Sequence, residues 1–235
     1  MTPSLGHAVV DNVEWCDLVC RSLDLATGRS DRLWWCADEA PTFYPDVITT
    51  TPETPLDPLL GLLDDRPRCS VKDSYATLDL SGEGFEVVCE ATWIARAPGV
   101  PAGADPGWEL IGADGLAEWE QAWLSAGGAP ASMSAVLLAD APVAFVSDRR
   151  DGRIAAGAVV HRGTGVLGLS NVFEAPGSSD EAGASDGAGW RAAASAASWL
   201  APELGVVGYE RDAWLSTALT IGFRPVGPLI IWQRG

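Results

Sequence analysis

Basic side chains are scarce in this sequence. Its 235 residues include 15 lysines and arginines against 32 aspartates and glutamates, which gives a formal net charge of −17. A surface of this sign repels phosphate backbones and anionic lipid headgroups. We therefore expect no nucleic-acid partner and no membrane partner, unless the fold concentrates its basic residues in one patch. The acidity itself is explained by solubility.

Long apolar runs are also missing, although 47% of the residues are hydrophobic. No run approaches the ~18 residues of a membrane span, and the first residues lack the basic and apolar regions of a secretory leader. The five cysteines are odd in number and lack C-x-x-C spacing, which is typical of reduced thiols. These absences predict a cytoplasmic protein whose length allows one large domain or two small ones.

Histidine occurs only at His7 and His161. So few imidazoles give no support for a metal site, and Cys16 and Cys20, four residues apart, are better explained as buried apolar side chains. The same scarcity disfavours a Ser-His-Asp triad. The sequence contains no G-x-S-x-G elbow and no G-x-x-x-x-G-K-[ST] loop, which argues against serine-hydrolase and P-loop chemistry.

Residues 1–97 show the patterns of an α+β region. Apolar residues at helical spacing run from Val9 to Leu25. Short β-branched and aromatic runs predict strands at 33–36, 43–49, 70–80 and 85–95.

A turn at residues 81–84 (SGEG) is predicted to join the strands 70–80 and 85–95 as a hairpin. Lys72 and Asp73 fall at the start of this hairpin. Charged residues at strand ends are mostly hydrated, so both side chains are predicted to be exposed.

Residues 98–107 are rich in proline, glycine and alanine without periodicity, which predicts a linker before a second region at 108–235. That region shows a helix at 114–124, four strand patterns, an alanine-rich helix and a closing strand–helix–strand unit. The strands are predicted at 135–138, 143–147, 154–161 and 166–173. Asp212 can cap the last helix, and Gly222 can end it. Strands followed by a β-α-β unit predict an α/β fold with a mixed sheet between helices.

Three segments of this second region resemble the GCN5-related N-acetyltransferase (GNAT) family. Residues 168–173 (GLSNVF) are similar to the family's central fourth strand. Residues 184–189 (ASDGAG), which lead into helix 190–200, resemble its pyrophosphate-binding motif Q/R-x-x-G-x-G/A, and residues 221–224 (IGFR) resemble its L-G-F signature. The resemblance covers residues 108–232 and implies a mixed, mostly antiparallel central sheet flanked by helices.

The resemblance also implies an enzyme, an acyl-CoA-dependent N-acyltransferase that uses acetyl-CoA and no metal to modify the amine of a small molecule. In the family, the pantetheine arm lies where the fourth and fifth strands splay apart. A glycine-rich turn and a helix N-terminus bring N–H groups and a positive dipole to the pyrophosphate. The positions that match the CoA-binding residues are Val172, Phe173, Gly187, Ala188, Gly189 and Arg191.

Two positions depart from the family pattern. Ala184 stands where the family has Gln or Arg, in a loop with three carboxylates that repel a pyrophosphate. Ala218 stands where the family has the tyrosine that protonates the leaving thiolate, and alanine cannot donate a proton. Tyr209 is the predicted catalytic substitute, with a buried core tyrosine as the alternative.

The carboxyl ends of the two splayed strands supply candidate bases. Glu174 ends the fourth strand and Glu210 the fifth, where ligands of open α/β sheets bind. Burial there can raise the pKa of a carboxyl into the range of a general base. An ordinary strand-end charge is the alternative for both. Ser170, Asn171 and Trp214 are candidate substrate contacts, with a β-bulge as the alternative role of the first two.

Other functions stay open on the sequence alone. The departures at Ala184 and Ala218 favour a GNAT-like protein that has lost CoA and acts by binding or regulation, or performs other small-molecule chemistry. Transfer from aminoacyl-tRNA is opposed by the net charge of −17. Residues 1–97 resemble the N-terminal region of some actinobacterial members, or a degenerate second GNAT-like lobe. Edge strands and eleven tryptophans are compatible with a homodimer.

Overall fold

The computed structural model describes residues 1–99, 108–129, 133, 135–139, 142–176 and 187–235. Most of the predicted linker, residues 100–107, lies outside these ranges. So does the part of the glycine-rich loop that contains Ala184 and the three carboxylates. Of the predicted pyrophosphate motif, the structure describes residues 187–189.

The described residues form six α-helices. Their bounds are Leu5–Ser22 (α1), Leu56–Gly61 (α2), Leu116–Ser125 (α3), Val136–Ala139 (α4), Ala188–Leu200 (α5) and Asp212–Thr220 (α6). The strand predicted at 135–138 is wrong, because α4 lies there; a short apolar run does not by itself distinguish a strand from a helix. Within the described ranges, no helix has both the length and the apolar character needed to cross a bilayer.

Eleven described strands form one sheet. They are Thr27–Arg29 (β1), Leu33–Cys36 (β2), Val47–Thr49 (β3), Cys69–Asp73 (β4), Glu86–Arg96 (β5), Trp108–Leu110 (β6), Val143–Arg150 (β7), Arg153–Arg162 (β8), Val166–Glu174 (β9), Gly205–Glu210 (β10) and Arg224–Arg234 (β11). The spatial order is β1-β2-β3-β4-β11-β5-β10-β9-β8-β7-β6. The pairs β3–β4 and β9–β10 are parallel and the others are antiparallel, so the predicted mixed, mostly antiparallel sheet is confirmed.

Helices cover both faces of this sheet, because successive side chains of a strand point to opposite sides. In β8, Val160 packs with α5 and Val159 packs with α1 and α3. In β5, Ile94 packs with α5 and Trp93 packs with α1. The alternation continues across the middle strands, so α1 and α5 lie on opposite sides of the same backbone.

The predicted hairpin between 70–80 and 85–95 is wrong. β11 lies between β4 and β5 and pairs antiparallel with both. Local turn composition at 81–84 could not reveal this, because the intervening strand comes from the far end of the sequence. The predicted exposure of Lys72 and Asp73 is wrong for the same reason. Because β4 is an internal strand, the two residues are only 2% and 0% exposed.

A buried polar pair fixes α1 to the sheet. Asp11 on α1 lies 3.1 Å from His161 Nδ1 on β8. Burial raises the pKa of Asp11 to about 6, and the hydrogen bond to His161 opposes that rise. A Cβ added to Gly168 on β9 would overlap the Asp11 carboxylate. Glycine at 168 therefore allows α1 to approach the strand closely.

The last helix ends as predicted and begins differently. Gly222 has a φ of 93°, the left-handed conformation that favours glycine. Arg211 occupies the N-cap position and Asp212 is the first helical residue, so the predicted cap at Asp212 is wrong.

Candidate functional site

The strands β9 and β10 pair only over their first residues. Val166–Gly168 pairs in parallel with Gly205–Val207, and the pairing stops there. Gly208 comes next, at a point where an added Cβ would lie 2.9 Å from the Leu169 carbonyl oxygen. Beyond it the two strands continue to Glu174 and Glu210 without pairing to each other. A gap therefore opens toward their carboxyl ends.

A β-bulge shapes the β9 side of this gap. Ser170 pairs with Val159 and Phe173 with Gly157, so two residues of β9 stand opposite one of β8. Asn171 has a φ of 52° at this bulge, a conformation that asparagine tolerates better than most residues. The structural role weighed for Ser170 and Asn171 as part of a bulge is thus present, and both side chains also border the gap.

A pocket of about 340 Å³ occupies the gap. Its walls come from α1, β4, β9, β10 and the first residues of α6, with the chain after α3 closing one side. Aromatic side chains contribute much of the lining: Trp15, Phe43, Tyr44, Trp123, Phe173, Tyr209 and Trp214. The predicted site residues that line it are Ser170, Asn171, Val172, Phe173, Glu174, Tyr209, Glu210 and Trp214.

Glu210 has a carboxyl group with a raised pKa. It ends β10 at the border of the pocket. Burial raises the pKa of its carboxyl to about 7, while the Arg211 backbone N–H, the Arg211 charge and a hydrogen bond from Trp190 partly oppose the rise. A carboxyl with a pKa near neutrality can accept a proton from an ammonium group and release it again.

Glu174 is placed differently from Glu210. Its Oε1 accepts a hydrogen bond of 2.8 Å from the Gly189 backbone N–H, in the first turn of α5. A Cβ on Gly189 would lie 2.7 Å from Glu174 Cγ. Helix N-termini attract anions, and the resemblance predicts that this one binds a pyrophosphate. The carboxylate of Glu174 occupies part of that region.

The other predicted CoA-binding residues lie at the same helix terminus and do not line the pocket. Gly187 has a φ of 73°, and a Cβ there would overlap the methyl group of Thr217 on α6. Ala188 begins α5, and Arg191 is exposed in its first turn. The structure therefore divides the predicted residues into a pocket group on β9 and β10 and a group at the N-terminus of α5.

Tyr209 has one aromatic neighbour, Trp93, and one cationic neighbour, Lys72. Its ring packs edge-on against Trp93, with centroids 5.2 Å apart. Lys72 Nζ donates to the Tyr209 hydroxyl at 3.3 Å and to Asn12 Oδ1 at 2.9 Å. Lys72 and Asn12 both line the pocket. Neither was among the predicted site residues, and only the helical position of Asn12, one turn before Cys16, links it to the buried side of α1.

Ala218 does not face this pocket. It is fully buried and packs in the core with Trp190 and Phe223. The proton donors that do line the pocket include Tyr209 and Lys72. Among the described residues, no three His, Cys, Asp or Glu side chains are grouped so that they could hold a metal ion.

Comparison with known proteins identifies the fold. The sequence matches no protein-family model and no curated protein. A GCN5-related N-acetyltransferase from Kribbella flavida aligns over 97% of this chain and 96% of its own, with a TM-score of 0.63 and 15% identity. A GNAT-family protein from Novosphingobium aromaticivorans aligns over 97% and 98%, with a TM-score of 0.61 and 17% identity. The chain has the GNAT fold.

A conserved Staphylococcus epidermidis protein of unknown function shares this GNAT fold, with a TM-score of 0.63, 8% identity and coverage of 90% and 94%. The alignments with the first two proteins extend over almost the whole chain, beyond the residues 108–232 on which the resemblance rests. The predicted fold is confirmed, including its helix-flanked, mostly antiparallel sheet. The structural similarity establishes the fold. Because the sequence identities are low, the reaction has to be argued from the site.

Proposed function

We propose that this protein is an acyl-CoA-dependent N-acyltransferase that transfers an acyl group, with acetyl the first expectation, to the amine of a small molecule. The observation that carries the proposal is Glu210, with a pKa near 7, at the mouth of the gap between β9 and β10. In an open sheet, ligands bind where neighbouring strands separate at their carboxyl ends.

The described residues offer suitable groups for both substrates. Among the described strands, none pairs with β9 on its β10 side beyond Gly168, which leaves room beside Val172 and Phe173 for an extended acyl carrier. Acetyl-CoA, when bound, supplies the acyl group as a thioester. In this proposal Glu210 takes the proton from the acceptor ammonium. The hydroxyl of Tyr209, which accepts a hydrogen bond from Lys72, returns a proton to the leaving group.

Isothermal titration with acetyl-CoA tests this function directly. We expect saturable binding, followed by thiol release when a panel of small amines is added. The absence of binding at millimolar acetyl-CoA would overturn the proposal.

A second candidate function is favoured by the hydrogen bond between Glu174 and Gly189. A GNAT-fold protein that binds small molecules without CoA would contain such a carboxylate at the N-terminus of α5. In that case the wild-type protein binds no CoA and Glu174→Ala gains measurable affinity for it. Turnover by the wild-type protein with any amine would exclude this second candidate.

A further inference from the structure

Lys72 is the only lysine of this sequence, and it is buried. It lies on β4, between β3 and β11, and its side chain lines the pocket. The ammonium donates to Asn12 and Tyr209 and lies 4.4 Å from the centroid of the Tyr209 ring. All of these partners are neutral side chains or an aromatic face.

No carboxylate of the described residues forms an ion pair with Lys72. The adjacent Asp73 accepts instead from the Thr49 hydroxyl and from the backbone N–H groups of Tyr75 and Leu78. Asp11 is paired with His161. A buried ammonium without an opposite charge is costly, and proteins rarely retain one without a partner or a ligand.

The ammonium retains capacity for a further acceptor. Burial lowers the pKa of Lys72, but the influence of Tyr209 and Cys16 outweighs burial, and the pKa is raised above its usual value. An ammonium has three N–H donors, and Asn12 and Tyr209 accept two of them.

The rest of the pocket indicates what else the ligand carries. Its aromatic walls suit an apolar group, and Glu210 suits an amine. We propose that Lys72, which donates to Asn12 and Tyr209, uses its third N–H to bind a carboxylate of the acceptor, which is therefore an amino acid or related amino carboxylate with an apolar side chain. The inference rests on the proposed function for the role of the amine, whereas carboxylate binding itself needs no acyl donor.

Selective isotope labelling tests the proposal on the intact protein. Because there is a single lysine, protein grown with ¹³C,¹⁵N-lysine gives one set of lysine side-chain resonances. These are followed during titration with L-phenylalanine, L-leucine and L-tryptophan, and with the carboxamide of each. The acid and its amide share the side chain and the position of the amine, and the amide lacks the anionic group.

At least one acid is expected to shift the lysine resonances saturably and to bind ~10-fold or more tightly than its amide, as expected for a hydrogen bond to a charged group. Equal affinity of acid and amide would overturn the proposal. So would the absence of any shift with all three acids at about 20 mM, a concentration about four orders of magnitude above a Kd of about 1 μM.

Calorimetry on variants gives a second measurement. Lys72→Met is expected to abolish the preference for acid over amide, Lys72→Arg to retain it, and Arg153→Met, an exposed charge outside the pocket, to leave it unchanged. Retention of the preference in a folded Lys72→Met protein would contradict the proposal. Should that variant not fold, the acid–amide comparison on the wild-type protein decides.

The two proposals fail separately. A protein that binds amino acids through Lys72 but binds no acetyl-CoA would refute the acyltransferase and retain the carboxylate site. Acetyl transfer to amines, with no advantage for those that bear a carboxylate, would do the reverse.

Discussion

Glu210 combines a position at the pocket with a pKa near 7, and burial is the main cause of that pKa. Below pH 7 its carboxyl is protonated and cannot accept the proton of an ammonium group. Above pH 7 it is ionised and can. The rate of acyl transfer should therefore rise as the pH increases through about 7, if the base governs the reaction.

The substitution Glu210→Gln is expected to lower kcat/KM by ~10²–10⁴, the usual contribution of a general base, and to remove the rise in rate near pH 7. The measurement is a pH–rate profile with acetyl-CoA and an amine substrate. Glu86→Gln, an exposed carboxyl on β5 outside the pocket, is the control and should leave the profile unchanged. A profile that keeps its acidic limb in Glu210→Gln would contradict the assignment.

Residues of the site differ in how far the sequence could predict them. Ser170, Asn171, Tyr209 and Glu210 belong to strands whose apolar patterns are local, so their places at the ends of β9 and β10 follow from the sequence. Lys72 does not, because its burial depends on β11 pairing with β4, a contact between distant parts of the chain. From the sequence pattern alone, a single lysine is expected to be hydrated, because the pattern does not show that β11 pairs with β4.

At the scale of an element, the N-terminus of α5 is held by Glu174 through the Gly189 N–H. Glu174→Ala removes this hydrogen bond and is expected to cost about 0.5–2 kcal/mol of stability, as for loss of a helix cap. Thermal melting measures this effect. The same variant should bind CoA more tightly, because a negative charge leaves the region expected for the pyrophosphate.

Glu86→Ala is the matched control for that helix terminus, since it removes an exposed carboxylate from a strand. It should change neither the melting temperature nor the CoA affinity. If Glu174→Ala weakens CoA binding instead, then Glu174 supports the cofactor rather than competing with it.

The contact between α1 and β9 gives a further prediction at this scale. Gly168→Ala places a methyl group where the Asp11 carboxylate lies, so α1 must move away from the sheet. Overpacking of this kind usually costs about 1–3 kcal/mol. Denaturant unfolding provides the measurement. Gly61→Ala, where nothing lies within 4 Å of the new Cβ, should be neutral or slightly stabilising. Equal stability of the two variants would show that α1 adjusts freely.

At the scale of the whole molecule, strands from before and after the predicted linker alternate in one sheet. β5 lies between β11 and β10, and β11 lies between β4 and β5. The core clusters likewise combine α1 with β9 and β10. Regions 1–97 and 108–235 therefore share backbone hydrogen bonds and core contacts, which couples their stabilities.

We expect a single unfolding transition in calorimetry, with near- and far-ultraviolet circular dichroism giving the same midpoint. Residues 1–97 produced alone should show no cooperative melting, because β4 and β5 then lack the strand that joins them. Two resolved transitions, or a cooperatively folded fragment 1–97, would show that the two regions are independent.

The position of β11 also bears on how the chain folds as it is synthesised. A ribosome releases β4 and β5 long before it makes the strand that lies between them. Until then, two inner edges of the sheet expose unpaired N–H and C=O groups, which invite pairing with other chains. Sheet closure is therefore a late, long-range step. The topology makes the nascent chain dependent on protection of those edges, and a stalled ribosome would leave an aggregation-prone product.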